Sequence, residues 1–194
     1  MITLGQLAGW SALIAAAATV IGAVLLGLFF SRGQPWGTWN DIASVVLMLA
    51  MIPVALVVGT IQMERMTTVV VAVAAVGIGG MLAAAGFRAA LVARLRTSEQ
   101  LLRPTLTADA VVGIWYVLSG FLGLSGDLPQ PLAWWMIASG IGFIAIGYGF
   151  ALGGQRHPLA ALGGATLLLF STAFLAWLGI YLVSGNLVVP SWNV

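Results

Sequence analysis

The fold is decided by a 20-residue stretch without a charged side chain, IASVVLMLAMIPVALVVGTI, which runs from Ile42 to Ile61. A helix needs about 20 predominantly apolar residues to cross the hydrocarbon core of a bilayer. Inside that core the backbone has no water to bind, and an α-helix pairs its N–H and C=O groups within one segment. The stretch therefore predicts a transmembrane α-helix.

Similar apolar stretches fill the rest of the chain. Charged residues make up only 6% of the 194 residues, whereas soluble proteins average about 25%. Short polar turns divide the sequence into six predicted spans: 8–30, 42–61, 66–87, 109–125, 132–153 and 159–183. We therefore expect an all-α polytopic membrane bundle of about six helices, formed by a single transmembrane domain that covers residues 1–194.

The arginines predict how the bundle is oriented. Under the positive-inside rule, short loops rich in arginine remain in the cytoplasm. The first, third and fifth predicted loops hold six arginines, and the opposite side holds only Arg65. The six are Arg32, Arg88, Arg94, Arg96, Arg103 and Arg156. This asymmetry predicts a multi-pass protein of the cell membrane with both ends of the chain on the non-cytoplasmic side.

The segment from Arg88 to Arg103 has two interpretations. The favoured one is an orientation signal that extends the third helix. The alternative is an amphipathic segment along the inner leaflet, where each arginine near anionic lipid contributes about 1 kcal/mol. Proline interrupts helices, so Pro104 is expected to end this segment and to leave a short fourth span that begins at Asp109.

Missing residue types narrow the chemistry. The chain has no cysteine and no lysine, and His157 is its single histidine. Thiolate catalysis, a lysine Schiff base and a site with several histidine ligands are therefore excluded. We expect no catalytic residue, no metal site, no cofactor and no nucleic-acid partner.

Two aspartates are candidate ligand-binding residues. Asp41 follows Trp39 and Asn40 at the predicted start of the second span, and Asp109 stands at the predicted start of the fourth. The alternation of spans places both carboxylates at the same membrane face. They either compensate the dipoles of two separate helix starts, which is the favoured interpretation, or converge on a cation, a proton or a substrate.

A second candidate site lies near the middle of the bilayer. Pro53 interrupts the second span and frees the carbonyl of Leu49, which predicts a helix kink. Trp115 and Tyr116 lie too deep for the aromatic belt at the membrane boundary. The kink is either purely structural, which is favoured, or opens a ligand pocket that Trp115 and Tyr116 line.

Small residues spaced four apart predict helix packing. Ala18 and Gly22 form one such pair, and Gly149 and Gly153 form another. Lipid provides no hydrophobic drive between helices, so close backbone approach at small residues supplies contact energy. We expect these four residues to lie at helix–helix contacts.

Three functions agree with these patterns. The first is binding or transport of a small neutral or lipophilic molecule, because the spans lack the buried charges that ion transport requires. The second is a structural or accessory subunit of a membrane complex. The third, ranked last, is a membrane enzyme that uses Asp41 and Asp109 on a lipid-like substrate. The expected partners are membrane lipids, and either partner subunits or further copies of the chain.

Overall fold

Six long apolar helices make up the protein. The computed structural model describes residues 3–126 and 128–187, without the side chains of Glu64, Arg65 and Gln155. Within these residues the helices are α1 (Leu4–Arg32), α2 (Trp36–Met63), α3 (Met66–Val92), α4 (Ser98–Leu124), α5 (Gln130–Gly153) and α6 (Pro158–Val183). A 3₁₀ turn, Gly154–Arg156, connects α5 to α6. The prediction of an all-α bundle of about six membrane helices is confirmed.

The second and third helices form a hairpin without a loop. Met66 has φ −148° and ψ 59°, and the helical backbone is interrupted at this residue. The chain reverses there, and α3 packs back on α2. Gly59 of α2 faces α3, where a Cβ would make ordinary van der Waals contact at 3.7 Å with the side chains of Val70 and Ala74.

The helices close into a ring. Each helix packs against its neighbours in the chain, and α1 also packs against α6. At the junction of α1 and α6, a Cβ on Gly179 would lie 2.9 Å from the carbonyl oxygen of Gly9. The absence of side chains at these two glycines therefore allows the first and last helices to touch.

The outer surface of the ring is apolar. Large apolar side chains that are about half exposed or more occur on several helices, among them Trp10, Val76, Ile141 and Leu162. Water would oppose such a surface, whereas lipid tails match it. Length, hydropathy and this surface together make the chain a multi-pass membrane protein.

The fourth helix differs from its prediction. It begins at Ser98 rather than Asp109, because Thr97 and Gln100 form a capping box that fixes its start. Pro104 does not end the preceding segment and lies inside α4, where it removes one intrahelical hydrogen bond. The favoured extension of the third helix holds for residues 88–92, while residues 98–103 open α4 instead.

Candidate functional site

A buried ion pair connects α3 to α4. Arg88 donates hydrogen bonds from Nη1 and Nη2 to the two carboxylate oxygens of Asp109, at 2.9 and 2.6 Å. Only 13% of the Arg88 side chain and 9% of the Asp109 side chain are exposed. Such a two-point contact between a guanidinium and a carboxylate is strong and fixes the geometry of both partners.

Asp41 of α2 also interacts electrostatically with Arg88. The direct ion pair of Arg88 among the described side chains is with Asp109 of α4. The favoured interpretation of the aspartates, helix-start compensation, is wrong, because α2 begins at Trp36 and α4 at Ser98. Both aspartates lie more than one turn inside their helices.

The other two candidates near Asp41 point elsewhere. Trp39 is exposed on the outside of the bundle. The side-chain oxygen of Asn40 faces α1, 3.6 Å from where a Cβ on Gly22 would lie. Asp41 and Asp109 therefore both interact with Arg88, whereas Trp39 and Asn40 have other surroundings. Sequence reasoning missed Arg88, whose only signal was an arginine at the end of an apolar run.

The centre of the bundle is filled by aromatic and methionine side chains. The Tyr116 hydroxyl donates to the sulfur of Met51 at 3.4 Å and lies 3.3 Å from the hydroxyl of Ser171. The Tyr116 ring also lies 5.9 Å from the ring of Phe143 and 5.8 Å from that of Phe174. One residue on α4 thus contacts side chains from α2, α5 and α6.

Trp115 and Tyr116 pack against protein atoms, in contrast to the alternative interpretation in which they line a ligand pocket. Each is 1% exposed. Trp115 packs directly on Gly77 of α3, where any side chain would collide with the indole ring. The backbone of α2 keeps helical dihedral angles at Pro53. Protein side chains therefore occupy the space that a ligand beside Trp115 and Tyr116 would need.

The four predicted packing residues have different neighbours. Gly149 lies against the backbone of α6 at Ala160, and Ala18 is buried on α1. Gly22 makes only ordinary contacts with α2, and Gly153 faces the imidazole of His157 in the turn that follows α5.

A groove between α3 and α4 opens on the outer surface of the bundle. The volume of the groove is about 590 Å³. Its lining is almost entirely apolar and consists of Val76, Gly79, Gly80, Ala83 and Phe87 from α3, with Arg103, Pro104, Thr107, Ala108 and Val111 from α4. Sequence reasoning missed this groove. Its signal in the sequence is the helical spacing of small residues on both helices. This signal can be interpreted only once α3 and α4 are known to be adjacent.

The glycines of α3 create the space in the groove. Gly79 has no protein atom within 4 Å of the position where a Cβ would lie. Phe87 and Val76 lie at opposite ends of the groove and are separated by eleven residues of α3, or about 16 Å along a helix. This length is close to half of the roughly 30 Å hydrocarbon core, so the groove has the depth of one leaflet.

Comparisons with known proteins add no relative to this description. Protein-family models, curated proteins and solved structures each yield no significant match to the chain.

Proposed function

We propose that this membrane protein binds a lipophilic molecule in the groove between α3 and α4. The observation that carries the proposal is the groove itself, an apolar recess beside Gly79 on the lipid-facing surface. Its volume of about 590 Å³ falls within the usual size of ligand sites, about 300–1,000 Å³. An apolar ligand matches such a lining, because the lining offers a polar ligand almost no hydrogen-bonding partner.

The filled centre favours binding at the side of the bundle over transport through it. Tyr116, Met51 and Phe174 are each at most 1% exposed. A molecule that crossed between the helices would have to displace these packed side chains. A molecule that enters the groove laterally from the bilayer displaces only lipid.

The proposal includes an orientation. We assign the protein to the cell membrane with both ends of the chain outside the cytoplasm, since six of the seven arginines lie in or near the three connections on one side. The end of the groove at Arg103 then faces the cytoplasmic leaflet.

Filling the groove tests the proposal. The variant Gly79→Leu adds a side chain whose Cβ has no atom of a neighbouring helix within 4 Å, so it enters the open groove and reduces its volume. Gly86→Leu is the matched control, since Gly86 is exposed on the same helix, also has open space around it and lies outside the groove lining.

The measurement is photo-cross-linking of retained lipid. Each variant is incorporated into vesicles of phosphatidylcholine that carries a diazirine on one acyl chain, extracted in detergent, purified and then irradiated. Mass spectrometry should locate the label on residues 76–87 and 103–111. We expect Gly79→Leu to lower this labelling several-fold and Gly86→Leu to preserve it. Equal labelling of these residues in wild type and Gly79→Leu would overturn the proposal.

The accessory-subunit function keeps one specific observation in its favour. Apolar side chains of the described residues pack together in the centre of the bundle, as expected of a structural component. In that case a helix from another chain, or from a second copy, covers the α3–α4 groove. Purification in mild detergent would then yield a stable complex, and the groove residues of that complex would carry no lipid label.

A further inference from the structure

We propose that the molecule in the groove is an anionic phospholipid of the bilayer, with its headgroup held by Arg103. This inference rests on the proposed function and narrows it to one class of ligand. It combines the position of Arg103 at one end of the groove, the arginines that surround this end, and the depth of the apolar part.

Arg103 occupies the position where a headgroup would lie. It is exposed and is the sixth residue of α4, which begins at Ser98. Because the lining is almost entirely apolar, Arg103 contributes mainly its methylene stem to the groove. Long basic side chains cover apolar surface with their stem while the charged end remains in the polar region. The guanidinium therefore lies at the mouth of the groove.

The mouth of the groove carries positive charge. Between Arg88 and Asp109 the sequence holds four arginines and two carboxylates. One carboxylate, Asp109, is bound by Arg88. The other, Glu99, precedes Arg103 by one helical turn, yet the two form no ion pair among the described side chains. The Arg103 guanidinium is therefore available to a phosphate, which is an acceptor that arginine binds well.

The depth of the groove matches an acyl chain. From its mouth at Arg103 the groove extends along α4 to Val111, and along α3 from Phe87 to Val76. The α3 side measures about 16 Å, which is close to the thickness of one leaflet. A phospholipid with its phosphate at Arg103 would thus place one acyl chain beside Gly79.

The test compares two lipids that carry the same diazirine acyl chain, phosphatidylglycerol and phosphatidylcholine. Both are incorporated with the protein as above, and the label on residues 76–87 and 103–111 is compared. In wild type we expect phosphatidylglycerol to label these residues about fivefold more, which corresponds to the attraction of one arginine for an anionic lipid surface. Arg103→Gln should reduce the ratio to about one, and Arg103→Lys should retain a preference.

Arg96→Gln is the control for general surface charge. Arg96 is exposed in the turn between the same two helices but does not line the groove, so this variant should keep the wild-type ratio. An equal ratio in wild type, or an equal loss in Arg96→Gln and Arg103→Gln, would overturn the role of Arg103. If both lipids label the groove equally and Gly79→Leu still reduces the labelling, the proposed function remains intact. Absence of labelling from both lipids would overturn the proposed function as well.

Discussion

At the scale of single residues, the Arg88–Asp109 pair places two charges inside the bundle. Charged side chains inside membrane helices are expensive unless they are paired. Here each of the two side chains is at least 87% buried, and two hydrogen bonds connect the guanidinium to the carboxylate. Removal of either partner would leave the second charge buried without compensation.

We expect Asp109→Asn to destabilise the protein strongly. The variant leaves the Arg88 guanidinium without its carboxylate, and loss of one partner from a buried pair costs about 3–5 kcal/mol. Thermal unfolding of the detergent-purified protein, followed by the loss of the monodisperse peak in size-exclusion chromatography, measures the effect. The melting temperature should fall by several degrees.

The double variant Arg88→Met with Asp109→Leu is the control for this prediction. It removes both charges and keeps apolar volume in their place, which is often neutral for a buried pair. Its melting temperature should therefore lie closer to wild type than that of Asp109→Asn. An unchanged melting temperature in Asp109→Asn would show that the pair contributes little to stability.

The sequence predicts the location of the two aspartates but not their interaction with Arg88. The alternation of apolar spans predicts that Asp41 and Asp109 lie at one membrane face, and in the structure both interact electrostatically with Arg88. Arg88 itself was assigned to an orientation signal, because a sequence shows that an arginine follows an apolar run but not which helix it faces. A pairing between α3 and α4 depends on the relative rotation of the two helices, which hydropathy does not encode.

At the scale of whole helices, the contacts between neighbouring helices depend on individual glycines. On α6, Gly163 lies against α5, where a Cβ would stand 2.7 Å from the carbonyl oxygen of Gly142. For its neighbour Gly164, a Cβ would have no atom of a neighbouring helix within 4 Å. These adjacent residues have the same chemistry and opposite surroundings.

We expect Gly163→Ala and Gly164→Ala to act in opposite directions. Alanine at position 163 would push α5 and α6 apart, and overpacking of this kind costs about 1–3 kcal/mol. Alanine at position 164 enters open space and improves helix propensity by up to about 1 kcal/mol. Melting temperatures of the two variants measured side by side check the contrast. A loss of stability in Gly164→Ala equal to that in Gly163→Ala would contradict it.

The six helices follow from their apolar runs, but their ends do not. Hydropathy predicts that a helix exists because lipid requires apolar side chains over the whole span. The start of α4 depends on the Thr97–Gln100 capping box, which lies in the basic segment outside the apolar run. Pro104 does not end a helix here, since the loss of one hydrogen bond near the start of a long helix leaves the rest of the helix intact.

At the scale of the whole molecule, the bundle has a solid centre and a recess at its side. The sequence leaves two interpretations open: a purely structural kink at Pro53, which is favoured, and a pocket lined by Trp115 and Tyr116. These side chains are large and lie near the middle of the bilayer, which is compatible with either lining a pocket or filling a core. The choice depends on Met51, Phe143 and Phe174, which reach Tyr116 from three other helices. Small residues on α3 and α4 leave space instead at the periphery.

The orientation of the whole bundle is set by where its arginines lie. The helices alternate in direction, so the three connections that contain or adjoin six arginines share one end of the bundle. Moving these charges across the bilayer is unfavourable, and we expect this end to remain in the cytoplasm. Alkaline phosphatase fused after the last residue should be active, since it folds outside the cytoplasm, and green fluorescent protein at the same position should be dark. Fusions after Arg96 should give the opposite result. A fluorescent fusion at the C-terminal end would reverse the orientation and would place the Arg103 end of the groove in the outer leaflet.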